Sequence, residues 1–200
     1  MEAIKRAYRS PEHSHGKSHV TNPYYTFPKL LSEEQCDLVL KWAEGVELSD
    51  GVVMTSEDNP EVTELRVSRT AWLPVEGFEW LYDLVFQSCC LTNYWEYEIR
   101  GFDEHMQFTE YDATESPAYY GWHSDIGPSH NHRKISMTIA LNSGDEYTGG
   151  QLQINHAEEP DLSTKGSAAM FPSFTRHQIT PVTSGIRRSL VVWVSGPKLK

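Results

Sequence analysis

Long apolar runs are missing from this 200-residue sequence. No stretch approaches the roughly 18 to 20 residues that carry a helix across a bilayer, so no membrane partner is expected. The opening Met1-Glu2-Ala3-Ile4-Lys5-Arg6 lacks the apolar middle of a secretion signal, and a cytoplasmic protein is predicted. Cysteine is scarce as well. Cys36, Cys89 and Cys90 are odd in number and include an adjacent pair, which makes neither a disulfide framework nor a Cys-x-x-Cys metal knuckle. Cys36 and Cys89 fall instead on apolar faces of predicted helices. Basic residues are outnumbered, 17 Lys and Arg against 28 Asp and Glu, and the formal charge of −11 leaves no broad footprint for a phosphate backbone. No nucleic-acid partner is therefore expected.

What is present suffices for one packed core: 38% of residues are hydrophobic and 12% aromatic, too many for a disordered chain. Residues 1–19 are polar and carry His13, His15 and His19. Nothing nearby is apolar enough to fix three imidazoles in one geometry, so this stretch reads as a solvated tail ahead of a single domain over residues 20–200. A short strand is predicted over 23–28. Ser32-Glu33-Glu34-Gln35 then forms a capping box, and Cys36, Val39, Leu40 and Ala43 recur at helical spacing until Gly45. Residues 46–60 are acidic and turn-rich, 63–73 alternate as a strand, and Phe78, Leu81, Tyr82, Val85, Phe86 and Cys89 make the apolar stripe of a second helix.

From residue 95 onward only short strand-forming runs remain, at 97–101, 105–111, 118–125, 134–142, 151–155, 168–171, 177–182 and 186–195, which implies two sheets or a barrel. In the 134–142 run, Ile135, Met137, Ile139 and Leu141 point one way, into a core. Ser136, Thr138 and Ala140 point the other way; their small size suits either a cavity wall or the close approach of a neighbouring backbone.

His123 and Asp125 leave the same face of a predicted strand, which fits either a shared metal ion or a hydrogen-bonded histidine at a strand end. His177, at the start of a later strand, supplies a third donor. Two imidazoles and a carboxylate are the facial triad of non-haem Fe(II), with coordination positions left open, whereas a closed zinc site would want a fourth protein ligand. Arg187 shares a strand face with Ser189, Val191 and Trp193. If that face lines the pocket of His177, its guanidinium could hold the remote carboxylate of a small dicarboxylic acid whose other end chelates the metal; the alternative is a surface ion pair. Arg188 should face the opposite side, solvated.

Taken together, His123-x-Asp125, His177 and the stretch Phe171-Pro172-Ser173 to Pro181-Val182-Thr183-x-Gly185-x-Arg187 resemble the Fe(II)- and 2-oxoglutarate-dependent dioxygenases, in their prolyl 4-hydroxylase-like branch. Tyr147-Thr148-Gly149-Gly150-Gln151-Leu152, Gln107-Phe108-Thr109-Glu110-Tyr111 and the lead-in Tyr24-Tyr25 to Cys36 agree with it, and the resemblance covers residues 23–197. It implies a mainly β fold, a double-stranded β-helix or jelly-roll core with two flanking helices packed on the larger sheet. By the same resemblance, His123, Asp125 and His177 bind Fe(II), Arg187 pairs with the distal carboxylate of 2-oxoglutarate, Tyr111 donates its hydroxyl to the co-substrate, and Trp193 lines the pocket. Some relatives place a tyrosine where Ala140 aligns, so Thr138 or Ser189 is expected to assist Arg187. The implied reaction consumes O2 and 2-oxoglutarate, releases succinate and CO2 and hydroxylates a C–H bond, with ascorbate as an accessory reductant.

The branch favours peptidyl proline as substrate, in a groove between residues 51–64 and the ligand-bearing strands, with Arg133 near it and Tyr119, Tyr120 and Trp122 stacking on the ring. The alternatives are the same chemistry on an amino acid or small molecule, a metal- or sugar-holding jelly-roll module without turnover, and a zinc hydrolase with Glu110 or Glu115 as general base. His130 and His132 are expected in an exposed loop.

Overall fold

The structure, a computed structural model, describes residues 23–54, 60–61, 64–156 and 158–198. The predicted tail and its three histidines lie outside the described residues. The elements are β1 (Tyr25–Phe27), α1 (Glu33–Glu44), β2 (Ser49–Asp50), β3 (Val53–Met54), β4 (Pro60–Glu61), β5 (Arg66–Val67), β6 (Arg69–Leu73), α2 (Glu79–Thr92), β7 (Met106–Asp112), β8 (Ala118–His123) and β9 (Arg133–Ala140). A 3-10 turn (Gly144–Glu146), β10 (Tyr147–Gly149), β11 (Leu152–Ile154), β12 (Ala168–Pro172) and β13 (His177–Ser195) complete the chain. No helix among the described residues is long and apolar enough to cross a membrane.

The capping box forms as the sequence predicts: the Ser32 hydroxyl accepts from the Gln35 amide at 3.2 Å, and Gln35 Oε1 accepts from the Ser32 amide at 2.8 Å. Two otherwise orphaned helix donors are thereby satisfied. Ser32→Ala is expected to cost about 1 kcal/mol of stability, read from the midpoint shift in urea unfolding.

One antiparallel sheet runs in the order β1-β12-β9-β13-β7-β6-β2. Both helices pack on its outer face, where Leu31, Cys36, Val39, Leu81, Val85 and Cys89 meet Phe108, Ile135, Met137, Ile139, Leu190 and Val192. The second sheet, of β5, β8, β10 and β11, is built on the first half of β13 and faces the inner side of the large sheet. A smaller core lies there, of Tyr111, Ala118, Ala140, Leu152, Ile154, Phe171, Ile179 and Val182. This is the jelly-roll core with two flanking helices that the resemblance implies. The three cysteines are unpaired, and burial pushes the Cys36 thiol up to about 11.

Three strand readings need correction. Residues 177–182 and 186–195 form one strand, not two, because Gly185, at φ +74°, turns the chain between sheets without breaking the ladder: Gly185 pairs with Tyr147 and Ile186 pairs with Asp112. Residues 63–73 are not one strand. Arg66–Val67 joins β8 and Arg69–Leu73 joins β7, while the Ser68 carbonyl between them accepts from Gly51 at 2.8 Å. Residues 97–101 form only an isolated bridge, Gly101 to Ser195, because the Asn93 side chain takes both backbone groups of Tyr97, at 2.7 and 3.2 Å.

Candidate metal centre and its cavity

β13 opens at His177, directly across the ladder from His123, the last residue of β8. Asp125 lies just beyond the strand rather than inside it, with its amide donating to the Ser173 carbonyl at 2.9 Å. His123 Nε2 is 3.7 Å from Asp125 Oδ1 and His177 Nε2 is 3.5 Å from Asp125 Oδ2. One ligand atom from each residue lies within 4.8 Å of the other two. The orientation of both rings is fixed from behind. His123 Nδ1 faces the Gly121 carbonyl at 2.8 Å and His177 Nδ1 faces the Thr175 carbonyl at 2.9 Å. A carbonyl can only accept, so Nδ1 carries the proton and the Nε2 lone pair is free for a metal.

Electrostatics prepares the same state. Burial, aided by the neighbouring His177, pushes His123 down to about 3, so its imidazole stays neutral at physiological pH. Burial opposes ionisation of Asp125, but His177, His123, Arg133 and the Ser136 hydroxyl outweigh it and hold the carboxyl below its usual range. Neutral imidazole and ionised carboxylate are the forms that bind a cation, and this donor set, with one side open to a cavity, fits Fe(II).

The cavity measures about 410 Å³ and lies between the sheets. Ser136, Thr138, Arg187, Ser189, Tyr111 and Trp193 all line it, so the polar face of β9 is a cavity wall and its apolar face is core. Ser136 donates to Asp125 Oδ2 at 2.6 Å. Ser136→Ala is expected to weaken metal binding about 10-fold, the lower end for groups that orient a ligand, measured by Co(II) titration. Arg187 is 2% exposed, donates to the Ser189 hydroxyl at 3.1 Å, and lies 5.4 Å from the Tyr111 ring centre. Among the described residues, no carboxylate lies within ion-pair distance of its guanidinium. Burial raises the Tyr111 phenol above its ordinary value, so it stays a hydrogen-bond donor. Ala140 sits in the smaller core and contributes no hydroxyl.

The substrate contacts expected from Tyr119 and Trp122 are not placed at the cavity. Tyr119 donates to the Glu64 carbonyl at 2.8 Å, and Trp122 packs on His156 with ring centres 4.0 Å apart. The reason is a bulge: between the pairs His177–His123 and Ile179–Tyr120, β13 advances two residues and β8 three. The extra residue reverses the alternation, so Tyr120 enters the cavity and stacks on His123, with ring centres 3.5 Å apart and planes inclined by 12°. The bulge was not visible in the sequence. Nor was Arg66, buried in the cavity wall, whose guanidinium lies 4.7 Å from the Tyr120 ring centre and donates to Gln107 Oε1 at 2.9 Å.

Arg133 lines the cavity, but its guanidinium is engaged by Glu104, and Glu104 also meets His130 and His132, each at 3.7 Å. These two histidines are half-buried rather than exposed. Arg188 is ion-paired, not simply solvated: it donates to Glu110 at 2.8 Å, and Glu110 also binds Arg69. With neither Glu110 nor Glu115 lining the cavity, a zinc hydrolase loses both of its candidate bases.

Comparison with known proteins agrees with this geometry. Residues 106–195 match the family model described as the 2OG-Fe(II) oxygenase superfamily. A PKHD-type hydroxylase of Synechococcus sp. (strain CC9605) is 39% identical over 79 residues, 38% of this chain and 36% of that one. A PKHD-type hydroxylase of Gloeothece citriformis is 25% identical over 179 residues, 85% of this chain and 77% of that one. The chain therefore spans between about a third and three quarters of the length of these curated relatives. Among solved structures, a Pseudomonas putida prolyl-4-hydroxylase superposes with a TM-score of 0.68 at 19% identity, covering 88% of this chain and 94% of that one. A Trichoplax adhaerens prolyl hydroxylase, in complex with a hypoxia inducible factor peptide fragment, gives 0.69 at 20% identity, covering 88% and 84%. Residues 106–195 thus resemble the 2OG-Fe(II) oxygenase superfamily, and the chain shares its fold with these prolyl hydroxylases.

Proposed function

We propose that the protein is an Fe(II)- and 2-oxoglutarate-dependent dioxygenase that hydroxylates a C–H bond, with peptidyl proline as the substrate. The observation that carries this reading is Arg187. A guanidinium 2% exposed, without a carboxylate partner among the described residues, in the same cavity as two imidazoles and a carboxylate, calls for an anionic ligand that also reaches a metal. A binding module without turnover gives that cation no task.

In this reading His123, Asp125 and His177 hold the metal, Arg187 and Ser189 receive the distal carboxylate of 2-oxoglutarate, and Thr138 and Tyr111 supply flanking hydroxyls. Bound Fe(II) and 2-oxoglutarate supply the oxidising power, with succinate and CO2 as co-products and ascorbate as the reductant that keeps the iron ferrous. The walls do the rest: Leu152, Phe171 and Ile179 exclude water, and Tyr120 and Trp193 confine the substrate carbon near the metal. The hypoxia inducible factor peptide fragment bound by the Trichoplax neighbour supports an open peptide groove here, and the half-exposed Trp72 and Val52 at the cavity rim give it an apolar lip.

The test is succinate release with Fe(II), 2-oxoglutarate, ascorbate and a panel of proline-containing peptides, with mass spectrometry of each peptide. Gain of one oxygen atom on proline, in step with succinate, is the expected result. Peptides left unchanged, while free amino acids are oxidised, would contradict the substrate and keep the chemistry.

A further inference from the structure

Asp125 sits where the β8 ladder has ended, so regular strand pairing does not hold it in place. Three other groups do. Its amide donates to the Ser173 carbonyl at 2.9 Å, its carboxylate accepts from Ser136 at 2.6 Å, and its carbonyl accepts from Arg133 Nη1 at 3.0 Å. Arg133 is 9% exposed and every nitrogen of its guanidinium is engaged. Nε and Nη2 donate to the two carboxylate oxygens of Glu104, at 2.6 and 2.5 Å, and the guanidinium carbon lies 3.9 Å from the Trp193 ring centre. A planar fork gripped on two edges and one face has little freedom left to swing toward a substrate.

We propose that Arg133 and Glu104 form a positioning pair for the Asp125 carboxylate, in place of the substrate contact that the sequence suggested for Arg133; this rests on His123, Asp125 and His177 being the metal ligands. Glu104 fixes the guanidinium, and the guanidinium fixes the Asp125 main chain, so the carboxylate points at the two imidazoles before any metal arrives. The Arg133 amide also donates to the His130 carbonyl at 3.2 Å, and His130 and His132 both approach Glu104. The loop from residue 126 to 132 is thereby closed on the same acid, and the pair sets the wall of the cavity as well as the angle of one ligand. Lysine cannot replace this arginine, because one ammonium cannot grip a carboxylate in two places and reach a carbonyl on the other side.

The test is Co(II) titration of metal-free wild type, Arg133→Lys, Glu104→Gln and Arg188→Lys, each well below its own melting temperature, following affinity and the visible d–d bands. Arg133→Lys and Glu104→Gln are expected to bind Co(II) about 10-fold or more weakly, with shifted bands, while Arg188→Lys, whose partner Glu110 does not line the cavity, matches wild type. Lowered melting temperatures with wild-type Co(II) affinity and bands would overturn the positioning role and leave a purely structural pair. Unchanged Co(II) binding with a raised KM for peptide would overturn it in favour of substrate contact. A wild type that binds no Co(II) would overturn the metal centre, and the positioning role with it.

Discussion

Replacing Arg187 with methionine is expected to raise the dissociation constant for 2-oxoglutarate at least about 100-fold, because a two-point, charge-assisted contact with a carboxylate contributes roughly 1.5–3 kcal/mol per hydrogen bond. Metal binding should stay near wild type, since Arg187 touches Ser189 and Tyr111 and none of the three proposed ligands. Stability should move the other way. In the ligand-free protein Arg187 is a cation 2% exposed with no carboxylate partner among the described residues, and methionine of similar length removes that desolvated charge while keeping the packing. The variant is therefore expected to unfold at or above the wild-type urea midpoint. Calorimetric titration of 2-oxoglutarate into Mn(II)-loaded protein checks the first part. An unchanged constant would remove Arg187 from co-substrate binding.

Gly185→Val should couple fold to site. At φ +74° a β-branched side chain is strained, and a Cβ there would lie 2.2 Å from the Glu146 carbonyl oxygen, a backbone atom that cannot step aside. Left-handed strain alone costs on the order of 1–3 kcal/mol, so with the clash a loss of about 3 kcal/mol or more in urea unfolding is expected. Arg187 follows two residues later on the same strand, paired with Tyr111 across the ladder. Displacing the corner moves both away from the cavity, and folded Gly185→Val should also bind 2-oxoglutarate more weakly than wild type. A loss under about 1 kcal/mol would mean that the chain turns between sheets by some means other than this glycine.

Local rules made much of this legible. The Ser32 box, the helical stripes and the two faces of β9 follow from side-chain direction along one element, and the structure places Ile135, Met137 and Ile139 against the helices and Ser136 and Thr138 in the cavity. His123, Asp125, His177 and Arg187 stand out by residue type and spacing together with the family resemblance, and the fold brings all four to one cavity. What the sequence hid depends on pairing between distant strands. The bulge in β8 exists only relative to β13, and of the expected aromatic set Tyr119, Tyr120 and Trp122 it leaves only Tyr120 in the cavity. Asn93 suppressed the strand at 97–101 through one amide side chain. Glu110 looked like an available base until its strand partner Arg188 and the neighbouring Arg69 took both of its oxygens. Arg66 stands in a short strand whose alternation gave no sign that it would reach across to Gln107.

The central claim is that one cavity holds a metal through His123, Asp125 and His177 and a dicarboxylate through Arg187. Its most direct test is an anaerobic titration of metal-free protein with Fe(II) and then 2-oxoglutarate, following the visible charge-transfer band of a chelated 2-oxoacid. The account predicts a saturating band in wild type, none in His123→Ala, and one that forms only at far higher 2-oxoglutarate in Arg187→Met. Absence of the band in wild type, with Zn(II) bound in place of Fe(II), would contradict it.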